Sequence, residues 1–200
     1  MTERRDQESR QTDIYTRRLE EWLEYVEGEN ALAVERFLAD KDHRERLARA
    51  PGSRSAHHAW EGGYHEHLRQ TMMIIAHNME LFERTGRMSE LPEDERFTLS
   101  DALVVMFLHD IEKPFVYGID EQGAIVTVMP MPKADRKRFR ADVIDHYGFR
   151  LTPTMANALM YVEGERDVDY IPGGRAEQPL ASLCQVADNQ SARAFHDHRG

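Results

Sequence analysis

The sequence predicts an all-α protein with one small β-hairpin, and three observations lead there. Apolar residues recur three and four positions apart through most of the chain, the period of an amphipathic helix. Proline, glycine and capping residues punctuate these stretches where helices would start and stop. Two short β-branched and aromatic runs, Phe115-Val116-Tyr117 and Ala124–Met129, flank the turn Gly118–Gly123 and read as a hairpin. The 200 residues suit one domain, large enough to bury a core without disulfides. Residues 1–12 are polar and mixed in charge and are expected to be disordered or frayed; residues 13–195 are expected to form the domain and 196–200 a tail.

Asp13 reads as the N-cap of a helix over Ile14–Val26, whose Tyr15, Leu19, Trp22, Leu23 and Val26 share a face. A second helix is expected over Ala31–Ala50, ended by Pro51-Gly52. Ser53–Gly63, SRSAHHAWEGG, reads as a loop dense in polar and aromatic groups, as loops that line sites often are. Gly62-Gly63 turns the backbone into a helix over Tyr64–Arg84, with Leu68, Met72, Ile75, Met79 and Phe82 inward and Gly86 beyond its end. Thr98 and Asp101 form a capping box for an almost wholly apolar helix that Pro114 is expected to stop, leaving His109 and Asp110 in its last turn. The hairpin follows, then helices over Ala134–Tyr147 and Thr154–Val162, a turn-rich loop from Gly164 to Gly174, and a last helix over Leu180–Phe195 opened by Pro179.

Composition narrows the function classes. A formal net charge of −10 argues against a long nucleic-acid partner, because phosphate backbones are held by clustered Lys and Arg. Arg136, Lys137, Arg138 and Arg140 form one basic patch, readable as a solvated helix face or as a place for a small phosphorylated ligand. The single cysteine, Cys184, and the lack of a charged-then-apolar opening segment point to a cytoplasmic location. The longest apolar run, Ala102–Leu108, is too short to cross a bilayer, so no membrane partner is expected.

Three helices far apart in sequence each place a metal-capable group on or near a core-facing side: His67, then His109 with Asp110, then Asp188. A carboxylate among apolar residues must be paired, protonated or bound to a metal. Two imidazoles with two carboxylates suit a transition metal better than calcium, which takes oxygen alone. Taken singly, each residue reads first as part of a buried polar network; the joint set, with His57 and His58 in the loop beside the first ligand, favours a metal site.

The order His67, His109-Asp110, Asp188 on a helical frame resembles the HD superfamily of metal-dependent phosphohydrolases. HHAWEGGYHEHL followed by FLHDIEKP is similar to the branch whose members open with a histidine pair, a GG turn and an E-H-x ligand, and Pro179–Arg193 resembles the last helix of that branch. The resemblance covers roughly residues 55–195. It implies an HD-domain helical bundle in which His67, His109, Asp110 and Asp188 ligate a divalent transition metal, whether Mn, Fe, Ni, Co or Zn. It also implies that Lys113, just past the pair, contacts a phosphate oxygen. Dinuclear members carry two more histidines before the last aspartate; this chain offers His146, with Glu163 in YVEGE at the other place, and one metal is the expectation. Nucleotidase members place an acid where this chain has Lys113, so the resemblance does not fix the substrate.

The activity these residues imply is hydrolysis of a small nucleotide-like phosphoester by a metal-activated water. Asp110 would orient the water, with Lys113 and either Arg193 or His58 neutralising charge on phosphorus and Trp60 stacking on a base, or else packing in the core. Two rivals are a diiron oxygenase of the same superfamily and a catalytically silent module that binds a nucleotide or a metal.

Overall fold

A computed structural model describes residues 15–164, 176–195 and 197. Two short helices, α1 (Leu19–Leu23) and α2 (Gly28–Ala39), precede α3 (Lys41–Arg49), and the long α4 covers Gly63–Arg84. After α5 (Arg87–Glu90) and a 3-10 turn at Glu93–Glu95 comes α6 (Leu99–Leu108), followed by the short α7 (Lys113–Val116). Strands β1 (Tyr117–Ile119) and β2 (Ile125–Thr127) pair antiparallel, with Gly118 opposite Val126. Helices α8 (Lys133–Tyr147), α9 (Pro153–Tyr161) and α10 (Pro179–Ala194) complete an all-α fold with one small hairpin. Among the described residues no helix is long and apolar enough to cross a membrane.

Helix α6 is the axis of the core. Every residue from Ala102 to Leu108 is fully buried, as expected of a helix apolar on all sides. Its start is the capping box legible in the sequence: Thr98 Oγ1 accepts from Asp101 N at 3.1 Å, and Asp101 Oδ2 accepts from Thr98 N at 2.8 Å. Helices α4, α9 and α10 pack against α6, and α10 also runs along α4 and α9. The end of α6 therefore meets the flanks of α4 and α10, which positions the site.

Several expected boundaries are corrected. The helix expected over Ile14–Val26 is broken at residues 17–18 and resumes as Leu19–Leu23, and Asp13 lies outside the described residues, as do most of the Gly164–Gly174 loop, residues 1–12 and most of the tail. The single helix expected over Ala31–Ala50 is two, because Asp40 takes an extended conformation and its Oδ1 accepts from Asp42 N and His43 N. A short carboxylate that caps a new helix competes with continuation of the old one.

Helix α6 ends at Leu108, well before Pro114, so the His-Asp pair lies just past its end. The cause is local: His109 Nδ1 lies 2.7 Å from the Met106 carbonyl, the acceptor that Asp110 N would use in a continuing helix. The chain goes on through tight turns, and Pro114 sits in the first turn of α7, where its fixed φ is tolerated. Phe115 and Val116 consequently belong to α7, and the hairpin starts at Tyr117.

Candidate metal centre

The site grows from three helix faces. On α4, His67 and Gln70 are one turn apart and fully buried; on α10, Asp188 and Ser191 repeat that spacing; the end of α6 adds His109 and Asp110. One ligand atom from each of His67, His109, Asp110 and Asp188 lies within 4.8 Å of all the others. His67 Nε2 is 3.2 Å from Asp188 Oδ1 and 3.4 Å from His109 Nε2, and His109 Nε2 is 3.2 Å from Asp110 Oδ2. This buried His and Asp group could hold a metal ion.

The outward nitrogens test that fit. His109 Nδ1 is occupied by the Met106 carbonyl, and His67 Nδ1 lies 2.9 Å from Ser191 Oγ. A carbonyl only accepts, so Nδ1 of His109 carries a proton and Nε2 faces inward as the nitrogen that would ligate once its own proton is displaced; outer hydrogen bonds orient metal-binding histidines in this way. Ser191 Oγ also donates to Gln70 Oε1 at 2.9 Å, and Gln70 Oε1 lies 2.9 Å from His58 Nε2, so one buried network supports the inner ring.

Two ionised carboxylates set the electrostatics of the cluster. Burial depresses His109, but Asp110 and Asp188 outweigh it and raise the imidazole to about 10. Burial and the positive charge of Lys113 win at His67, which is held down to about 3 despite Asp188. Burial opposes ionisation of Asp188, yet hydrogen bonds from His109 and His67 keep it below the usual carboxylate range. Asp110 is likewise held well below that range, because Lys113 and His109 outweigh its burial. Lys113 Nζ stands 2.5 Å from Asp110 Oδ2, so a nearly buried ammonium completes the cluster.

The face toward Asp188, whose side chain is 23% exposed, is the open one. It borders a cavity of about 620 Å³ lined by Ser55, Ala56, His57, Asp188, Asn189, Ala192 and Arg193. That volume falls in the range of small-molecule sites. Arg193 is exposed and lines this cavity.

His58 is placed otherwise. It is fully buried, with a left-handed φ of 52°, and its Nδ1 lies 3.0 Å from His57 Nδ1, so it holds up the loop and offers a ligand no surface. Gly63 follows from this packing: a Cβ there would lie 2.0 Å from the His58 carbonyl oxygen. Trp60 is half-buried, its ring 5.1 Å from that of His58. Both loop histidines stand near His67, with rings 5.1 Å (His57) and 5.2 Å (His58) from it and a ligand atom of each of the three within 4.8 Å of the others, but of the pair His57 lines the cavity, and burial with the charge of Lys113 lowers it to about 4.

The residues considered for a second ion do not join the cluster. His146 is exposed at the end of α8 and packs on Tyr147, and Glu163 is exposed beyond α9 with its carboxylate 3.1 Å from Lys133 Nζ. Their helix-end positions suggested a shared site, but the two helix ends present them at the surface. The sequence does not single out Gln70 and Ser191, whose side chains support the inner ring. The available signal was spacing, since Gln70 and Ser191 each fall one turn after a ligand candidate. No protein-family model, no curated protein and no solved structure matches the chain.

Proposed function

We propose that the protein is a metal-dependent phosphohydrolase of the HD type, acting on a small nucleotide-like phosphoester. The observation that carries this reading is the convergence of four ligand atoms within 4.8 Å beside a buried lysine, with one face open to a cavity. When bound, a divalent transition metal supplies Lewis acidity toward a phosphoryl oxygen and lowers the pKa of water. His67, His109, Asp110 and Asp188 hold it. Ser191 and the Met106 carbonyl fix the two imidazoles, so ligand geometry is set before any substrate arrives.

In this reading Asp110 orients the attacking water, and Lys113, in contact with Asp110, meets the charge that develops on the phosphoryl oxygens. Arg193 and His57, on the cavity wall, receive the outer part of the substrate. A single ion is the nuclearity proposed, because His146 and Glu163 lie at the surface away from the four ligands.

Metal analysis of protein purified without chelator, followed by a phosphate-release screen over nucleotides, tests the proposal. About one transition-metal ion per chain and chelator-sensitive release are expected. Release indifferent to chelator, or protein that takes up no such ion, overturns it. Tight nucleotide binding without turnover would mark a binding module instead, and oxygen uptake by iron-loaded protein would mark an oxygenase.

A further inference from the structure

A second cavity, of about 580 Å³, lies between α8, the end of α9 and the turn that precedes α7. Its lining includes Lys133, Arg136, Lys137 and Arg140 against two carboxylates, Glu112 and Glu163. A chain with a formal net charge of −10 thus gathers four cations around one hollow. None of the four metal-ligand candidates lines it.

Two features distinguish this from a solvated basic helix face. First, two of the cations are built in. The Arg140 side chain is 15% exposed and Arg136 is half-buried, each anchored by a guanidinium nitrogen donating to a backbone carbonyl, of Leu159 and Met131. Second, the polar groups at the floor are under-satisfied. Glu112, almost fully buried, stands 3.9 Å from Arg136 Nη1 and 3.8 Å from Arg140 Nη2, too far for hydrogen bonds. Glu112 Oε2 and Arg140 Nε make no hydrogen bond among the described residues, and Lys137 makes no ion pair among them.

Buried guanidinium groups with spare donors recognise phosphate oxygens in pairs, and flanking lysines add point charges. The cations are spread from Lys133 to Arg140, roughly 10 Å along α8, further than one phosphate reaches. We propose that the cavity binds a polyphosphate group, as the tail of a nucleoside di- or triphosphate or as the inorganic anion, in a site separate from the metal centre. Leu159, Met160 and Val162 form an apolar wall beside the cations, suited to the sugar and base of a nucleotide.

Titration calorimetry on the metal-depleted protein, in buffer free of divalent ions, tests this with inorganic triphosphate, pyrophosphate, orthophosphate and a nucleoside triphosphate. Saturable binding of triphosphate is expected, at least about tenfold tighter than orthophosphate, because each added charged contact strengthens it. The paired substitution Lys133→Gln with Lys137→Gln, both at exposed positions that the fold does not need, weakens it at least about tenfold. Arg138→Gln, on the same helix but outside the lining, leaves it unchanged. A nucleotide that binds more tightly than triphosphate identifies the nucleotide as the natural ligand, and equal affinities identify the anion alone. Absence of saturable binding overturns the proposal. So does equal weakening by Arg138→Gln, which would mark diffuse charge attraction, or binding that appears only when a transition metal is restored. Since the measurement is made without metal and without turnover, its outcome is independent of the hydrolase reading.

Discussion

His67 Nε2 and Asp188 Oδ1 stand 3.2 Å apart although α4 and α10 lie far apart in sequence, so the cluster depends on the packing of those two helices. Asp188 is also the ligand candidate with the most exposed side chain, on the face toward the larger cavity. Asp188→Ala should therefore remove a ligand without opening a hole in the core. Bound metal is expected to fall from about one ion per chain to below about a tenth, with helical content retained. Elemental analysis beside circular dichroism measures both, and full occupancy in the variant would exclude Asp188 as a ligand. Asp110→Ala should behave in the same way.

Ser191 meets the outward nitrogen of His67: its Oγ lies 2.9 Å from Nδ1 and donates to Gln70 Oε1. Ser191→Ala removes the partner of that ring nitrogen in a buried environment, while the Gln70 oxygen keeps His58. Metal affinity should fall about 10-fold to 100-fold, the usual effect of removing an outer hydrogen bond to a ligand. Competition with a chelating dye reads the change, and an unaltered affinity would reduce Ser191 to packing.

Much of this site was legible as residues and little of it as distances. The Thr98 box, the all-apolar α6 and the inward stripe of α10 follow from local chemistry, so the helices that carry the four ligand candidates could be read in order. The end of α6 could not, because it is set by a side chain, His109, taking the Met106 carbonyl from the backbone. The break at Asp40 is of the same kind, hidden in a charged stretch where an aspartate reads equally well as a surface residue. His58 misled for a different reason: a histidine in a polar loop suggests a ligand contact, whereas tertiary packing buried it against Gln70. Convergence of α4 and α10 is a property of the packed fold and leaves no mark in spacing.

The loop around His58 should be intolerant of a side chain at Gly63. A methyl group there would meet the His58 carbonyl oxygen at 2.0 Å, and its relief would displace the loop that bonds Gly52 N and Trp60 N to that oxygen. Gly63→Ala is expected to destabilise the protein by more than about 2 kcal/mol, seen as a lower urea midpoint. An unchanged midpoint would mean that the loop repacks freely.

Lys113 should separate metal binding from turnover. Its ammonium lies 2.5 Å from Asp110 Oδ2, and burial, which would lower its pKa, is outweighed by Asp110 so that the charge is retained. A protonated lysine holds no metal but meets phosphate oxygens as a point charge. Lys113→Met should keep the ion and lower phosphate release about 100-fold, with most of the loss in kcat. Loss of the metal in this variant would instead make Lys113 a structural partner of Asp110.

Metal binding should release a proton, and the pH dependence follows from which imidazole holds it. Burial alone would leave His109 neutral, but Asp110 and Asp188 raise it to about 10, so below that pH its Nε2 is protonated. His67, held down to about 3, is already neutral and has no proton to give. An entering ion must displace the proton on His109, so acid opposes binding and alkali favours it. Apparent affinity should rise about tenfold per pH unit between about pH 6 and about pH 8, and level off once pH passes the His109 value. Calorimetry in buffers of different ionisation enthalpy should count about one proton released per ion bound. In His109→Asn that release should vanish along with most of the affinity. A proton count near zero in the unaltered chain would mean that His109 is neutral and that the two carboxylates do not control it.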